Sequence, residues 1–178
     1  EDGRKQAVYR KMRLPNYDVF DEKRYFEPGT DACVVMLGGV RCGINICADI
    51  WEEGAAELAR AAGAELLLVL NASPCHLEKH QQRAQVLGDR IDATGIPAIY
   101  CNLVGGQDEL VFDGASFALD EQKNCRMRLP SFEEALGIVD FDAGRLRSEQ
   151  MAAELSVEAE AYNALVLGVR DYIGKTGF

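Results

Sequence analysis

The chain has 178 residues, 48% hydrophobic and 27% charged, a length and balance that suit one soluble domain with a sizeable core. Its 29 acidic and 19 basic side chains leave a net charge of −10, which argues against a nucleic-acid partner or an anionic membrane surface, since both call for a basic patch. No apolar run reaches the roughly 18–20 residues of a membrane span, and no signal peptide is recognisable.

In chain order, residues 7–14 (AVYRKMRL) read as a strand with a polar face. Residues 14–29, with Pro15, Pro28 and Gly29, read as a long ordered loop carrying aromatics. CVVML (33–37) and VRCGINIC (40–47) flank Gly38-Gly39, a hairpin signal. EGAAELARAAG (53–63) has helical composition and a C-terminal Gly stop. ELLLVLN (65–71) is an apolar run of strand length, as expected for a strand buried on both faces. Residues 76–95 read as a helix ending at Gly95, and IPAIYCNLV as another buried strand. Residues 109–120 suggest antiparallel strands, and ALGIVDFD (135–142) one more. From Ser148 to Lys175 the pattern is helical, with Leu155, Ala159, Tyr162, Val166 and Val169 forming one stripe expected to pack inward or on a neighbour. Strands alternating with helices, plus hairpins, indicate an α/β class with a mixed sheet.

The six cysteines, Cys33, Cys42, Cys47, Cys75, Cys101 and Cys125, form no CxxC pair and no small disulfide framework, which points to a reducing cytoplasm. Cys33, Cys42 and Cys101 lie inside apolar strands and read as buried small hydrophobes. Cys47, in GINICADIW, differs: it stands where a strand must turn. Backbone N–H groups after such a turn favour a thiolate and stabilise charge on an attacked carbonyl oxygen. A cysteine there can form a thioester with an amide or acyl substrate; the position by itself favours a small buried hydrophobe. His76 and His80 in CHLEKH share a helix face, but Leu77 stands where a zinc-protease motif needs Glu, so no metal is expected. Lys11, ending the first predicted strand, is either an oxyanion partner or a solvated lysine.

Several segments together resemble the carbon–nitrogen hydrolase (nitrilase) superfamily, in its glutamine-hydrolysing branch attached to NAD synthetases: YRKMRLPNYDVFDEKRYFEPG, GINICADIW, LNASPCHLEK, NLVGGQDELVFDG and LGVRDYIGKTGF. The resemblance implies an α-β-β-α sandwich, here incomplete at the N-terminus. It implies Cys47 as the nucleophile attacking the side-chain amide of glutamine, and Lys11 as oxyanion stabiliser together with N–H groups near residue 48. It also implies Glu22 as a second carboxylate beside the lysine. Tyr17 and Phe20 would line the glutamine pocket, and Ser73 and Lys79 would hold its α-amino and α-carboxylate ends. Ala48 occupies a substrate-side position that is usually acidic in relatives.

The same resemblance implies residues 1–147 as part of the glutaminase domain and residues 148–178 as a helical connection toward a synthetase domain. Ammonia would pass to that domain for ATP- and Mg-dependent amidation of deamido-NAD, with no cofactor in this segment itself. Homo-oligomers are implied, with the helix near 148–173 as one candidate interface. The family's glutamate base lies upstream of the LPNY segment, and no P-loop pattern occurs, since Gly105-Gly106 lacks the Lys and Ser/Thr. Opening on Glu1, not methionine, the sequence reads as an internal piece of a longer enzyme. The alternatives are a different amidase of the superfamily, or a non-catalytic fragment lacking the base.

Overall fold

The computed structural model describes residues 3–148 and 150–177. Gly38 and Gly39 take φ of 54° and 86°, the conformation a two-residue hairpin turn needs. They join β1 (Cys33–Leu37) to β2 (Val40–Ile46) as an antiparallel pair. A 3₁₀ turn at Cys47–Ile50 and α1 (Ala55–Ala61) lead to β3 (Leu66–Asn71), parallel to β2. α2 (Lys79–Thr94) then crosses to β4 (Ala98–Asn102), parallel to β3. β5 (Val104–Gln107) and β6 (Leu110–Asp113) leave the sheet as a separate hairpin. β7 (Phe117–Leu119) returns antiparallel to β4, and β8 (Cys125–Arg128) pairs with β7, completing a six-stranded sheet of order β1-β2-β3-β4-β7-β8. A second hairpin, β9 (Asp140–Asp142) and β10 (Arg145–Arg147), and a terminal helix, α3 (Val157–Thr176), follow.

Alternation along the strands divides the core. Leu67, Val69, Ala98, Tyr100 and Phe117 face α1 and α2, meeting Ala56, Ala59, Leu87 and Ile91. Gly43 permits this: a Cβ there would lie 2.9 Å from that of Ala59 and 3.0 Å from that of Ala64, so any larger residue would push α1 away. Cys42, Leu66, Ala118 and Met127 face the other way and pack with Leu146 of β10. Nearer the strand ends this second face is open, and Leu70 and its neighbour Cys101 are exposed. Cys101 is thus not the buried hydrophobe that its apolar strand suggested, whereas Cys33 and Cys42 are buried.

The α/β class and mixed sheet match expectation, while several local readings do not. Residues 7–14 form no strand. Their backbone bonds go instead to the Asp49 carboxylate and, through the Lys11 carbonyl, to the N–H of Gly29. In 135–142 only the last three residues are strand, because the Gln150 side chain takes the N–H of Ile138 and the carbonyl of Leu136. IPAIYCNLV divides after Asn102, the helix expected from residue 76 begins at Lys79, and polar CRMR and RLR are strands β8 and β10.

The expected helix from Ser148 begins at Val157. Before it, Gln150 and Ala152 bond to the Arg128 backbone, and Ser156 caps the helix by accepting the Ala159 N–H at 3.3 Å. Tyr162, Val166 and Val169 of the predicted stripe are exposed, and Leu167 is buried instead. α3 docks through its other side, where Asp171 accepts the Gly106 N–H at 2.7 Å and Lys175 donates to the Gly106 carbonyl.

Candidate active site

Three parallel strands end at the same rim of the sheet, where an α/β fold places its reactive groups. There β2 delivers Cys47, β3 leads into Ala72 and Ser73, and β4 ends at Asn102. Cys47 has φ 43°, a left-handed conformation that a non-glycine residue adopts only when the surroundings enforce it. The enforcement comes from Asp49. Its fully buried carboxylate accepts the N–H of Ile46 at 2.9 Å, closing the turn around Cys47. It also accepts the N–H groups of Met12 and Arg13 at 2.9 and 2.8 Å and the Tyr9 hydroxyl at 2.7 Å. One carboxylate therefore ties the cysteine turn to the segment that carries Lys11.

Lys11 and Glu22 form a close pair, the ammonium reaching the two carboxylate oxygens at 2.6 and 2.8 Å. Glu22 sits on a 3₁₀ turn (Glu22–Arg24) that follows the buried Leu14 and Pro15, its own N–H bonded to the Pro15 carbonyl. Both charges act on Cys47. Burial pushes its thiol pKa up, Lys11 pulls it down, Glu22 adds to the rise, and the Ala72 N–H favours the thiolate. Cys47 is only partly buried and so remains reachable.

The other expected residues surround this centre. Tyr17 is exposed and packs edge-on against Phe20 at 5.9 Å; burial, then the charge of Cys47, raises the pKa of its hydroxyl. Lys79 opens α2, its ammonium 4.4 Å from the centroid of the Trp51 ring. Burial and the Arg83 charge lower its pKa, and the negative charge of Cys47 acts in the opposite sense. Ala48, directly after Cys47, is buried. Ser73 is buried as well: its N–H donates to Asn102 at 3.0 Å, and its hydroxyl accepts from Arg83 at 3.2 Å.

Asp49, Trp51 and Arg83 were not anticipated as site residues. Two of them had a signal: Asp49 is an acid inside an apolar stretch, and Trp51 is the chain's single tryptophan. Arg83 had none, because an arginine in a polar helix ordinarily faces water.

Residues 1–150 match the carbon-nitrogen hydrolase family. The chain belongs to that family. Among carbon–nitrogen hydrolases with curated descriptions, it is 43% identical over 183 residues to a glutamine-dependent NAD(+) synthetase of Xanthomonas campestris and 42% identical to that of Rhodobacter capsulatus. The match takes in 99% and 100% of this chain but 33% of each relative, so the chain spans about a third of their length. A solved glutamine-dependent NAD+ synthetase from Acinetobacter baumannii, in complex with ADP, superposes with TM-score 0.94 at 38% identity, over all of this chain and 34% of that one. An amidase of the nitrilase superfamily from Nesterenkonia superposes over 70% of this chain and 48% of its own, at 28% identity and TM-score 0.62; its structure shows acrylamide added at the active-site cysteine. The fold is thus of the nitrilase type.

Proposed function

We propose that this chain is the glutamine amidohydrolase portion of a glutamine-dependent NAD synthetase, with Cys47 as its nucleophile. The observation that carries the reading is Cys47 on a left-handed turn that the Asp49 carboxylate ties to the segment carrying the Lys11–Glu22 pair. Whole-chain likeness to NAD synthetases and the active-site cysteine of the Nesterenkonia amidase support it.

The Cys47 sulfur, once deprotonated, attacks the side-chain amide carbon of glutamine and forms a C–S bond. The carbonyl π electrons move to oxygen, where the Lys11 ammonium and the backbone N–H after Cys47 stabilise the charge. Glu22, holding the ammonium through both carboxylate oxygens, aims Lys11. Collapse of the tetrahedral intermediate breaks the C–N bond, the nitrogen takes up a proton and ammonia leaves. Water then adds to the thioester, releasing glutamate and restoring the thiol. The base that takes the thiol proton is assigned to a glutamate outside residues 1–178, as the family pattern implies. Tyr17 and Phe20 wall the pocket. Lys79, over Trp51, receives the α-carboxylate of glutamine as a charge-assisted pair, and Ser73 closes the pocket at its α-amino end.

The ammonia feeds amidation of deamido-NAD in a synthetase portion, which would hold ATP and Mg; no residue of this chain is assigned to them. In the complete protein Cys47→Ala is expected to abolish glutamine hydrolysis, measured as glutamate release, while synthesis from free ammonia persists. Undiminished glutamate release would overturn the assignment of the nucleophile.

A further inference from the structure

We infer that Arg83 is a positioning residue for this centre, its guanidinium fork fixing the path of residues 72–74 against Cys47. The inference rests on the reading of Cys47 as the nucleophile.

Arg83 lies one turn into α2 and is 1% exposed, one of the largest fully buried side chains of the chain. A buried guanidinium needs a counter-charge and acceptors for its N–H groups, and their arrangement here is specific. Nη1 donates to Asp113 Oδ2 at 2.7 Å. The remaining bonds converge on two consecutive residues just past β3. Nε donates to Ser73 Oγ at 3.2 Å, and Nη2 to the carbonyl oxygens of Ser73 at 2.9 Å and Pro74 at 3.1 Å. Asn102, at the end of β4, closes the cage: its Oδ1 accepts the Ser73 N–H at 3.0 Å, and its Nδ2 points to Asp113 at 3.4 Å.

The residue just before this cage is Ala72, directly after β3, which pairs with β2 so that Leu70 stands opposite Ile46; residues 72–74 therefore leave the sheet beside the Cys47 turn, where the Ala72 N–H favours the thiolate. The fork therefore defines the turn from which that donor is presented. Its charge also favours the Cys47 thiolate and disfavours the Lys79 ammonium. A buried ion pair is a weak source of net stability, whereas a planar fork holding four acceptors specifies geometry that a lysine, a point donor, cannot reproduce.

The test compares wild type, Arg83→Lys and Arg83→Ala in the complete protein. It reads kcat and KM for glutamine and the pH profile of Cys47 alkylation by iodoacetamide, followed at the Cys47 peptide by mass spectrometry. Arg83→Lys keeps the charge and loses the fork. It is expected to keep the circular-dichroism spectrum of wild type, to lose about 10²-fold in kcat, as a misplacement of about 1 Å does, with a smaller change in KM, and to move the alkylation midpoint upward. Arg83→Ala guards against a plain folding defect. Guanidinium ion below denaturing concentration is expected to restore its turnover, where ammonium at equal concentration does not. Wild-type kcat and alkylation midpoint in folded Arg83→Lys, or an equal response of Arg83→Ala to the two cations, would overturn the inference. Alkylation at Cys47 needs no turnover, so this outcome is separate from that of Cys47→Ala, which tests the nucleophile.

Discussion

Asp49 accepts the backbone N–H of Arg13 at 2.8 Å across 36 residues of chain, with that of Met12 on the same oxygen. The acid two positions after the cysteine thus holds the segment on which Lys11 rides. Asp49→Ala would leave three backbone N–H groups and the Tyr9 hydroxyl, all in part-buried residues, without their acceptor. Each such group costs about 1–3 kcal/mol. A loss of at least about 3 kcal/mol in urea unfolding is expected, and a loss below about 1 kcal/mol would mean that other contacts hold residues 9–13.

Lys11 and Glu22 make opposite predictions for the thiol. Burial raises the Cys47 pKa, Lys11 opposes this and Glu22 adds to it. Alkylation at Cys47 should therefore rise with pH through a midpoint above the ordinary thiol range, because only the thiolate reacts. Lys11→Met should move that midpoint up and Glu22→Gln should move it down. Lys11→Ala should also lower kcat by about 10²–10³, the usual loss for one oxyanion donor. Midpoints that do not separate in opposite directions would exclude both residues from the surroundings of the sulfur.

Lys79 stands over Trp51 at the edge of the site. A hydrogen bond to a charged group contributes about 1.5–3 kcal/mol. Lys79→Met is accordingly expected to raise the KM for glutamine by about 10- to 100-fold, with a smaller change in kcat. An amide lacking the α-carboxylate should lose the difference between the two enzymes. If both substrates respond equally, Lys79 does not read the carboxylate.

Asp171 docks α3 on the β5–β6 hairpin through the Gly106 N–H. That bond, with help from Arg170, holds the Asp171 carboxyl below the ordinary carboxylate range. A lowered folded-state pKa means that its contribution is present at neutral pH and lost as pH falls through the folded value. Asp171→Ala at neutral pH should reproduce the acid effect: faster hydrogen exchange at Gly106 and along α3, with Cys47 alkylation unchanged. Unchanged exchange at Gly106 would place the docking energy elsewhere on the helix.

The sheet was readable where the signal is local. The apolar run 65–71 became β3, although its second face is open at Leu70, and Gly38-Gly39 became the hairpin turn, because an apolar run of strand length and a turn with positive φ each announce themselves within a few residues. β8 and β10 were not readable: CRMR and RLR bury only Met127 and Leu146, and Arg126, Arg145 and Arg147 are exposed. The α3 stripe misled for a related reason. Periodicity marks an apolar face without saying that anything covers it, and here Gly168 and Asp171 of the other side make the contact.

For the site, the one-dimensional pattern determined the cysteine at the end of its strand, and the resemblance added Lys11, Glu22 and Lys79. Only the folded chain decided which charges lie inside. Asp49 finds partners 36, 37 and 40 residues away, and Arg83 finds Asp113 30 residues on. A buried charge is tolerable only when distant groups arrive to meet it, so the apolar stretch around Asp49 hints at burial without naming its partners, and no window of sequence around Arg83 distinguishes it from the exposed arginines of a polar helix.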